Sequence, residues 1–248
     1  MAALPEKARV VIIGQGGIVG ASVAHHLVEA GWDDIVGLEK SAIPTDIGST
    51  SHASDFCYMT SHDKLNVFTS TYSREFYRSR GNFIEIGGME VARKGDEAQV
   101  QELLRKVGSG KAFGTKAHMI TAAEAKERFP LLEEDSIECA MWDPDAGLVT
   151  PRSQKVAGDL VDEAVAAGKL QVFPYTAADE IIVEDGRAVG VKTAKGTIMA
   201  DYVVLCAGIW GSLVSETANV KLPLMPVEHP LLFFGPWDAL EGTGKDIV

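Results

Sequence analysis

Cysteine is scarce and scattered. Cys57, Cys139 and Cys206 lie far apart and no CxxC occurs, so neither a disulfide framework nor a zinc ribbon is indicated. Long apolar runs are missing too. No stretch of 18 apolar residues exists to form a spanning helix. The opening MAALPEKARV has neither a signal-peptide core nor an Arg-rich transit pattern. The expectation is a cytoplasmic chain without a membrane partner. Basic residues are outnumbered, 23 against 35 acidic, for a net charge of −12. That balance argues against a nucleic-acid footprint and against attraction to an anionic membrane. No repeat or low-complexity segment is visible, and 248 residues suffice for one large domain or two small ones.

What is present begins at the N-terminus. Val10 to Ile13 is a short continuous apolar run, the pattern of a buried parallel strand. It stops at Gly14, Gly16, Gly17 and Gly20. Ile18, Val19, Ser22, Val23, His26 and Leu27 then mark a helix that Gly31 ends. Ile35 to Leu38 reads as a second strand, closed by Glu39 and Lys40. Glycines at a strand–helix turn let the backbone approach a pyrophosphate, and the helix N-terminus offers it free N–H groups. Glu39 stands 19 positions beyond Gly20, where a carboxylate can accept hydrogen bonds from ribose hydroxyls. The carboxylate favours NAD or FAD over NADP. The spacing G-x-G-x-x-x-G has one residue more than the usual fingerprint, so the roles of Gly16 and Gly17 stay unseparated. A turn needed only for helix–strand packing is the bland alternative, and it does not ask for Glu39.

Further on, NFIEIGGMEVARKG reads as two extended pieces around Gly87-Gly88. DEAQVQELLRKV is a helix capped by Asp96, and TAAEAKERF a helix with Thr121 and Glu124 in a capping box. IECAMWDPDAGLV is extended with a turn at Pro144-Asp145. RSQKVAGDLVDEAVAAG is an amphipathic helix between Pro151 and Gly168, followed by the strand LQVF. DEIIVEDGRAVGVKTAKGTIMAD reads as three short antiparallel strands. YVVLCAGIWG is a further apolar strand, whose Ala207 and Gly208 leave room for a flat ligand. The expected fold is α/β: a Rossmann-like domain with a parallel sheet and a three-stranded antiparallel meander, interrupted by an α+β insertion. The boundaries are 1–82 and 149–222 for the nucleotide domain, 83–148 for the insertion, and 223–248 for a second segment of the inserted domain.

Between these parts lies DIGSTSHASDFCYMTSHD, crowded with hydroxyls and histidines. Alone it fits a solvated loop. His52, Cys57, His62 and Asp63 could also be taken as metal ligands, but their spacing fits no common zinc pattern, and no metal is expected. Taken together, VVIIGQGGIVGASVAHHL, GLEK, GSTSHAS, IGGMEVA, DAGLVTP and CAGIWG resemble the glycine- and sarcosine-oxidising flavoproteins related to D-amino-acid oxidase. The dimethylglycine oxidase/dehydrogenase and sarcosine dehydrogenase branch is the nearest match in pattern. The resemblance covers essentially the whole chain, and GSTSHA is its most specific element.

The resemblance implies FAD as cofactor, tied covalently to His52 through the flavin 8α carbon, with Ser49, Thr50 and Ser51 along the flavin and phosphate side. It implies an adenine contact at the Ala178 backbone and flavin packing at Ala207, Gly208 and Trp210. Lys40 joins Glu39 in the nucleotide set. LPLMPVEHPLLFF is similar to the start of a substrate-domain sheet, and His229 matches a histidine near the substrate amine. A partly buried strand histidine before Pro230 is the alternative for that residue. The implied reaction is oxidation of the C–N bond of an N-methylated glycine, of dimethylglycine or sarcosine type. The family's flavin domain runs on well beyond Val248 and some members add a folate-binding region, so a separate chain carrying the rest is an expected partner. Two other readings stand beside this one. One is a truncated, catalytically incomplete dinucleotide-binding module or subunit of a split flavoenzyme. The other is an NAD-dependent dehydrogenase, for which the GSTSHA loop has no use.

Overall fold

In a computed structural model, residues 3–228, 230, 237 and 238 are described. In chain order they form β1 (Lys7–Ile13), α1 (Ile18–Glu29), β2 (Ile35–Leu38), β3 (Phe56–Cys57), α2 (Lys64–Ser79), β4 (Phe83–Glu85), β5 (Gly88–Arg93) and α3 (Glu97–Ala112). There follow β6 (His118–Thr121), α4 (Ala122–Arg128), β7 (Ile137–Asp143), β8 (Gly147–Val149), α5 (Ser153–Ala166), β9 (Leu170–Phe173), β10 (Glu180–Glu184), β11 (Arg187–Thr193), β12 (Gly196–Leu205) and α6 (Gly211–Glu216). No described helix is long and apolar enough to cross a membrane.

Two compact units divide the chain at Ser54/Asp55 and again at Thr150/Pro151. The first boundary differs from the expected 82/83. Phe56 and Cys57 pair with Leu148 and Gly147, and α2 packs on β4, so residues 55–82 join the inserted unit. The return falls at Pro151 instead of 149, because Val149 donates its N–H to Asp55 and Thr150 to Asn82.

The first unit holds a six-stranded sheet in the order β10-β11-β12-β1-β2-β9. Strands β12, β1, β2 and β9 run parallel; β10, β11 and the start of β12 form the meander. The third meander strand and the YVVL strand, read separately in the sequence, are one. β12 pairs antiparallel with β11 over Gly196–Met199 and parallel with β1 from Met199 to Leu205. Val11, Ile13, Val36 and Leu38 face a core shared with Ile181, Val191 and Ile198. By strand alternation Val10, Ile12 and Ile35, all buried, face the other way. The layer of α1 and α5, which pack on each other, supplies Ala21, Ala24, Val156, Leu160 and Val161 to the buried set. Burial of this kind is worth about 25 cal/mol per Å² of apolar surface.

The second unit holds two three-stranded antiparallel sheets, β3-β8-β4 and β5-β7-β6. Helices α3 and α4 pack on β7. Both expected caps form: Asp96 accepts from the Gln99 N–H, and Thr121 and Glu124 make the reciprocal box. Asp143, fully buried, accepts from the Met59 and Thr60 N–H groups, at 3.0 and 2.9 Å.

Candidate cofactor site

Three segments of the first unit converge where the parallel strands end. Gly14 follows β1 with φ +92°, and its N–H donates to the Leu38 carbonyl. An added Cβ would collide with the Cys206 carbonyl oxygen. A Cβ on Gly20 would collide with the Gly14 carbonyl oxygen. These two glycines therefore let β1, α1 and the end of β12 close on one another. The close packing at these two positions is of chain on chain.

The structure also separates Gly16 from Gly17. Gly16 is buried, donates its N–H to Glu39 Oε2 at 3.0 Å and accepts from the Thr45 N–H. A Cβ there would meet the Ala42 carbonyl and Glu39 Cγ, both at 3.0 Å. Gly17 is the N-cap of α1 with extended backbone. Its nearest neighbour for a Cβ is Thr50 Oγ1 at 3.5 Å. The adjacent Ile18 N–H, first of the helix, donates to that same hydroxyl at 3.0 Å. Thr50 thus seats the GSTSHA loop on the N-terminus of α1.

Glu39 is 6 % exposed. Besides Gly16 its carboxylate accepts from the Ser41 N–H at 3.0 Å and the Ser41 hydroxyl at 3.2 Å. Lys40 is exposed and places Nζ 3.5 Å from the centre of the Trp210 ring, a cation–π pair.

A cavity of about 340 Å³ lies among these groups. Of the anticipated cofactor residues, Gly14, Gly17, Glu39, Lys40, Ser49, Thr50, Ala178, Ala207, Gly208 and Trp210 line it. Gly16, Gly20, Ser51 and His52 do not. Gly16 and Gly20 lie behind the wall. His52 is exposed, and its Nδ1 lies 3.0 Å from the Gly48 carbonyl oxygen and 3.0 Å from Ser51 Oγ. Thr50, two residues before His52, and Ala53, next after it, both line the cavity. His229 lies outside the described residues. Among the described residues no group of three or more His, Cys, Asp or Glu could hold a metal ion, and His62 is instead bonded to Glu102 at 2.6 Å.

The sequence reading missed Ser153, Thr176 and Cys206 as lining residues. Ser153 begins α5; Thr176 follows β9 and donates its N–H to the Glu39 carbonyl at 2.7 Å. Position after a parallel strand was the available signal. Cys206 follows β12, and burial pushes its thiol up to about 11.

The residues present fit a flavin dinucleotide. The N-terminus of α1 borders the cavity at Gly17 and Ile18, with the Thr50 hydroxyl on the Ile18 N–H, and a carboxylate closes the neighbouring strand. A wall of small residues runs from Ala177 and Ala178 to Ala207 and Gly208.

Comparison with known proteins agrees. The family model described as "DAO: FAD dependent oxidoreductase" matches residues 9–246. The mouse mitochondrial pyruvate dehydrogenase phosphatase regulatory subunit is 31% identical over 256 residues, 99% of this chain and 28% of that protein. Human mitochondrial sarcosine dehydrogenase is 29% identical over 238 residues, 91% of this chain and 25% of that protein. The crystal structure of L-proline dehydrogenase from P. horikoshii superposes with a TM-score of 0.78 at 30% identity, covering 88% of this chain and 57% of that one. The chain spans about a quarter of the length of these two curated relatives.

Proposed function

Because this chain belongs to the DAO family of FAD-dependent oxidoreductases, we propose that it is the cofactor-holding part of an enzyme that oxidises the C–N bond of an N-methylated glycine, of sarcosine or dimethylglycine type. The observation that carries this reading is a cavity that gathers Gly17, Glu39, Gly48–Thr50 of the GSTSHA loop and Ala207–Trp210. The substrate class rests on the GSTSHA resemblance and on the similarity to human sarcosine dehydrogenase.

FAD, when bound, supplies the two-electron acceptor for the C–H bond beside the substrate nitrogen. The chain's own residues do the rest. The N-terminus of α1 would hold the pyrophosphate, and Glu39 would accept from ribose hydroxyls. Ala178 would border the adenine, and Ala207, Gly208 and Trp210 the flavin. His52 is the tether in this reading. A carbonyl oxygen only accepts, so the contact with Gly48 puts the hydrogen on Nδ1 and leaves the Nε2 lone pair available.

The test is reconstitution of the 248-residue chain with FAD in air. Flavin absorption that persists through desalting is expected, with colour retained after acid precipitation and added mass on the peptide containing His52. Sarcosine or dimethylglycine should bleach it. Absence of bound flavin at saturating FAD would sink the reading.

A second reading has its own support. The similarity to a phosphatase regulatory subunit extends over 99% of the chain, which favours a nucleotide-binding module that does no chemistry. Flavin that binds but is bleached by no N-methylated amine would decide for it.

A further inference from the structure

Arg152 precedes α5 as its N-cap and makes no side-chain cap. A positive charge at a helix N-terminus opposes the helix dipole, so the guanidinium does not serve α5. It reaches back across the sequence instead. Nη2 donates to the Ser51 carbonyl at 3.5 Å and to the Ala53 carbonyl at 3.4 Å. Those are the two residues that flank His52. We propose, resting on the reading of His52 as the flavin tether, that Arg152 is a positioning residue for flavin attachment.

The loop is held on both sides. Before His52, Thr50 Oγ1 accepts from the Ile18 N–H and fixes the chain to α1. Around His52, Arg152 fixes it to α5. Within the loop the Ser51 hydroxyl donates to the Gly48 carbonyl at 2.9 Å, and the imidazole is held on the same carbonyl through Nδ1. Ile18 and Ser153, the first residues of the two helices, both line the cavity. The exposed imidazole is thereby tied to the two elements that border the cofactor cavity. Both Arg152 bonds are long and leave from one nitrogen, Nη2; their weight comes from the full charge of the planar guanidinium.

Attachment forms a bond between imidazole nitrogen and the flavin 8α carbon. The imidazole gives up its N–H hydrogen and the methyl group one of its hydrogens. The two electrons released reduce the flavin, and dioxygen then accepts them with two protons as hydrogen peroxide. The protein gains the mass of one FAD less two hydrogens. Nothing in this step requires Arg152 to touch the flavin; its part is to restrict where His52 stands, and such restriction sets the rate of an intramolecular reaction.

The experiment uses the full 248-residue chain with FAD in air. Arg152→Met, Arg152→Lys and His52→Ala are compared with the parent. Flavin retained through desalting reports total binding; intact mass and acid-stable colour report attachment over time. Arg152→Met is expected to bind FAD within about threefold of the parent and to attach it about ten- to a hundredfold more slowly. Arg152→Lys, which keeps one charged donor, should fall between. His52→Ala should bind and never attach. A parent that binds flavin but gains no mass on the His52 peptide overturns the tether reading, and this proposal with it. A parent that attaches while Arg152→Met attaches at the same rate overturns this proposal alone. So does loss of total binding in both Arg152 variants in proportion to attachment, which would mark a purely structural role.

Discussion

The side chain of Gln15 fills the space above Gly37. A Cβ on Gly37 would collide with Gln15 Cγ and stand 2.7 Å from Oε1. Gln15 is fully buried, and its Nε2 donates to the Gly20 carbonyl at 3.3 Å. Gln15, inside the glycine turn, points inward, and the missing side chain on β2 makes room for it. Gly37→Ala should therefore cost about 1–3 kcal/mol of stability through overpacking. Gln15→Ala made together with it should recover part of that loss. Urea unfolding of the four proteins measures the coupling, and strict additivity of the two changes would contradict the relationship.

Gly14 and Gly17 should respond differently to alanine. At Gly14 the added methyl meets the Cys206 carbonyl and the residue holds φ +92°. Gly14→Ala should lower the melting temperature, with flavin loss following from misfolding. At Gly17 the backbone is extended, and an added methyl on this cavity-lining residue meets only Thr50 Oγ1, at 3.5 Å, an ordinary contact. Gly17→Ala should melt within a few degrees of the parent and weaken FAD by about 1–3 kcal/mol. Scanning calorimetry beside a flavin titration separates the two. Equal effects at both positions would show that the turn is not divided as described.

Glu39 stabilises the turn before any cofactor arrives. Its carboxylate collects the N–H groups of Gly16 and Ser41 and the Ser41 hydroxyl. Glu39→Gln puts an amide N–H₂ against one of these donors, and should destabilise the unliganded protein by about 1–3 kcal/mol as well as weaken FAD. Denaturant midpoints measured without flavin check the first half. A midpoint unchanged from the parent would leave Glu39 with a ligand role only.

How much of this was legible in the sequence varied with the kind of signal. β1, α1 and β2 announced themselves because a buried strand, a glycine turn and an amphipathic helix each leave a periodic trace. The caps at Asp96 and Thr121 were readable because their bonds span three residues. α2 was not read. It leaves Leu65, Phe68 and Tyr72 exposed and buries only Val67, so its apolar pattern does not mark a core face. The unit boundary at Ser54 depends on β3, two residues whose pairing partners lie about ninety positions away. The run-on of β12 was invisible because alternation does not record a change of partner. In the site, the glycine turn and Glu39 were readable as a local motif, whereas Ser153 and Thr176 reach the cavity only through the order of strands. Arg152 gave no signal, since its contacts cross about a hundred residues to two carbonyls.

Cys206 supplies a pH test of the cavity wall. Its N–H donates to the Ile13 carbonyl at 2.7 Å, and the residue lines the cavity, half-buried. Burial disfavours the thiolate and moves the thiol from the ordinary 9.0 up to about 11. The folded value lies above the unfolded one, so the neutral thiol's contribution to stability is complete below pH 9 and is lost as the pH climbs to about 11. Cys57 and Cys139 shift in the same direction, each chiefly through burial, so the whole protein's alkaline slope does not isolate Cys206. Comparison with Cys206→Ala does. The parent should lose stability more steeply than the variant between pH 9 and 11, with the two curves parallel below pH 8. Alkylation gives an independent reading: the Cys206 peptide should react slowly with iodoacetamide at pH 7.5, faster as the pH rises, and more slowly again once FAD fills the cavity. Rapid labelling at pH 7.5 that FAD leaves unchanged would place the thiol outside the cofactor's wall.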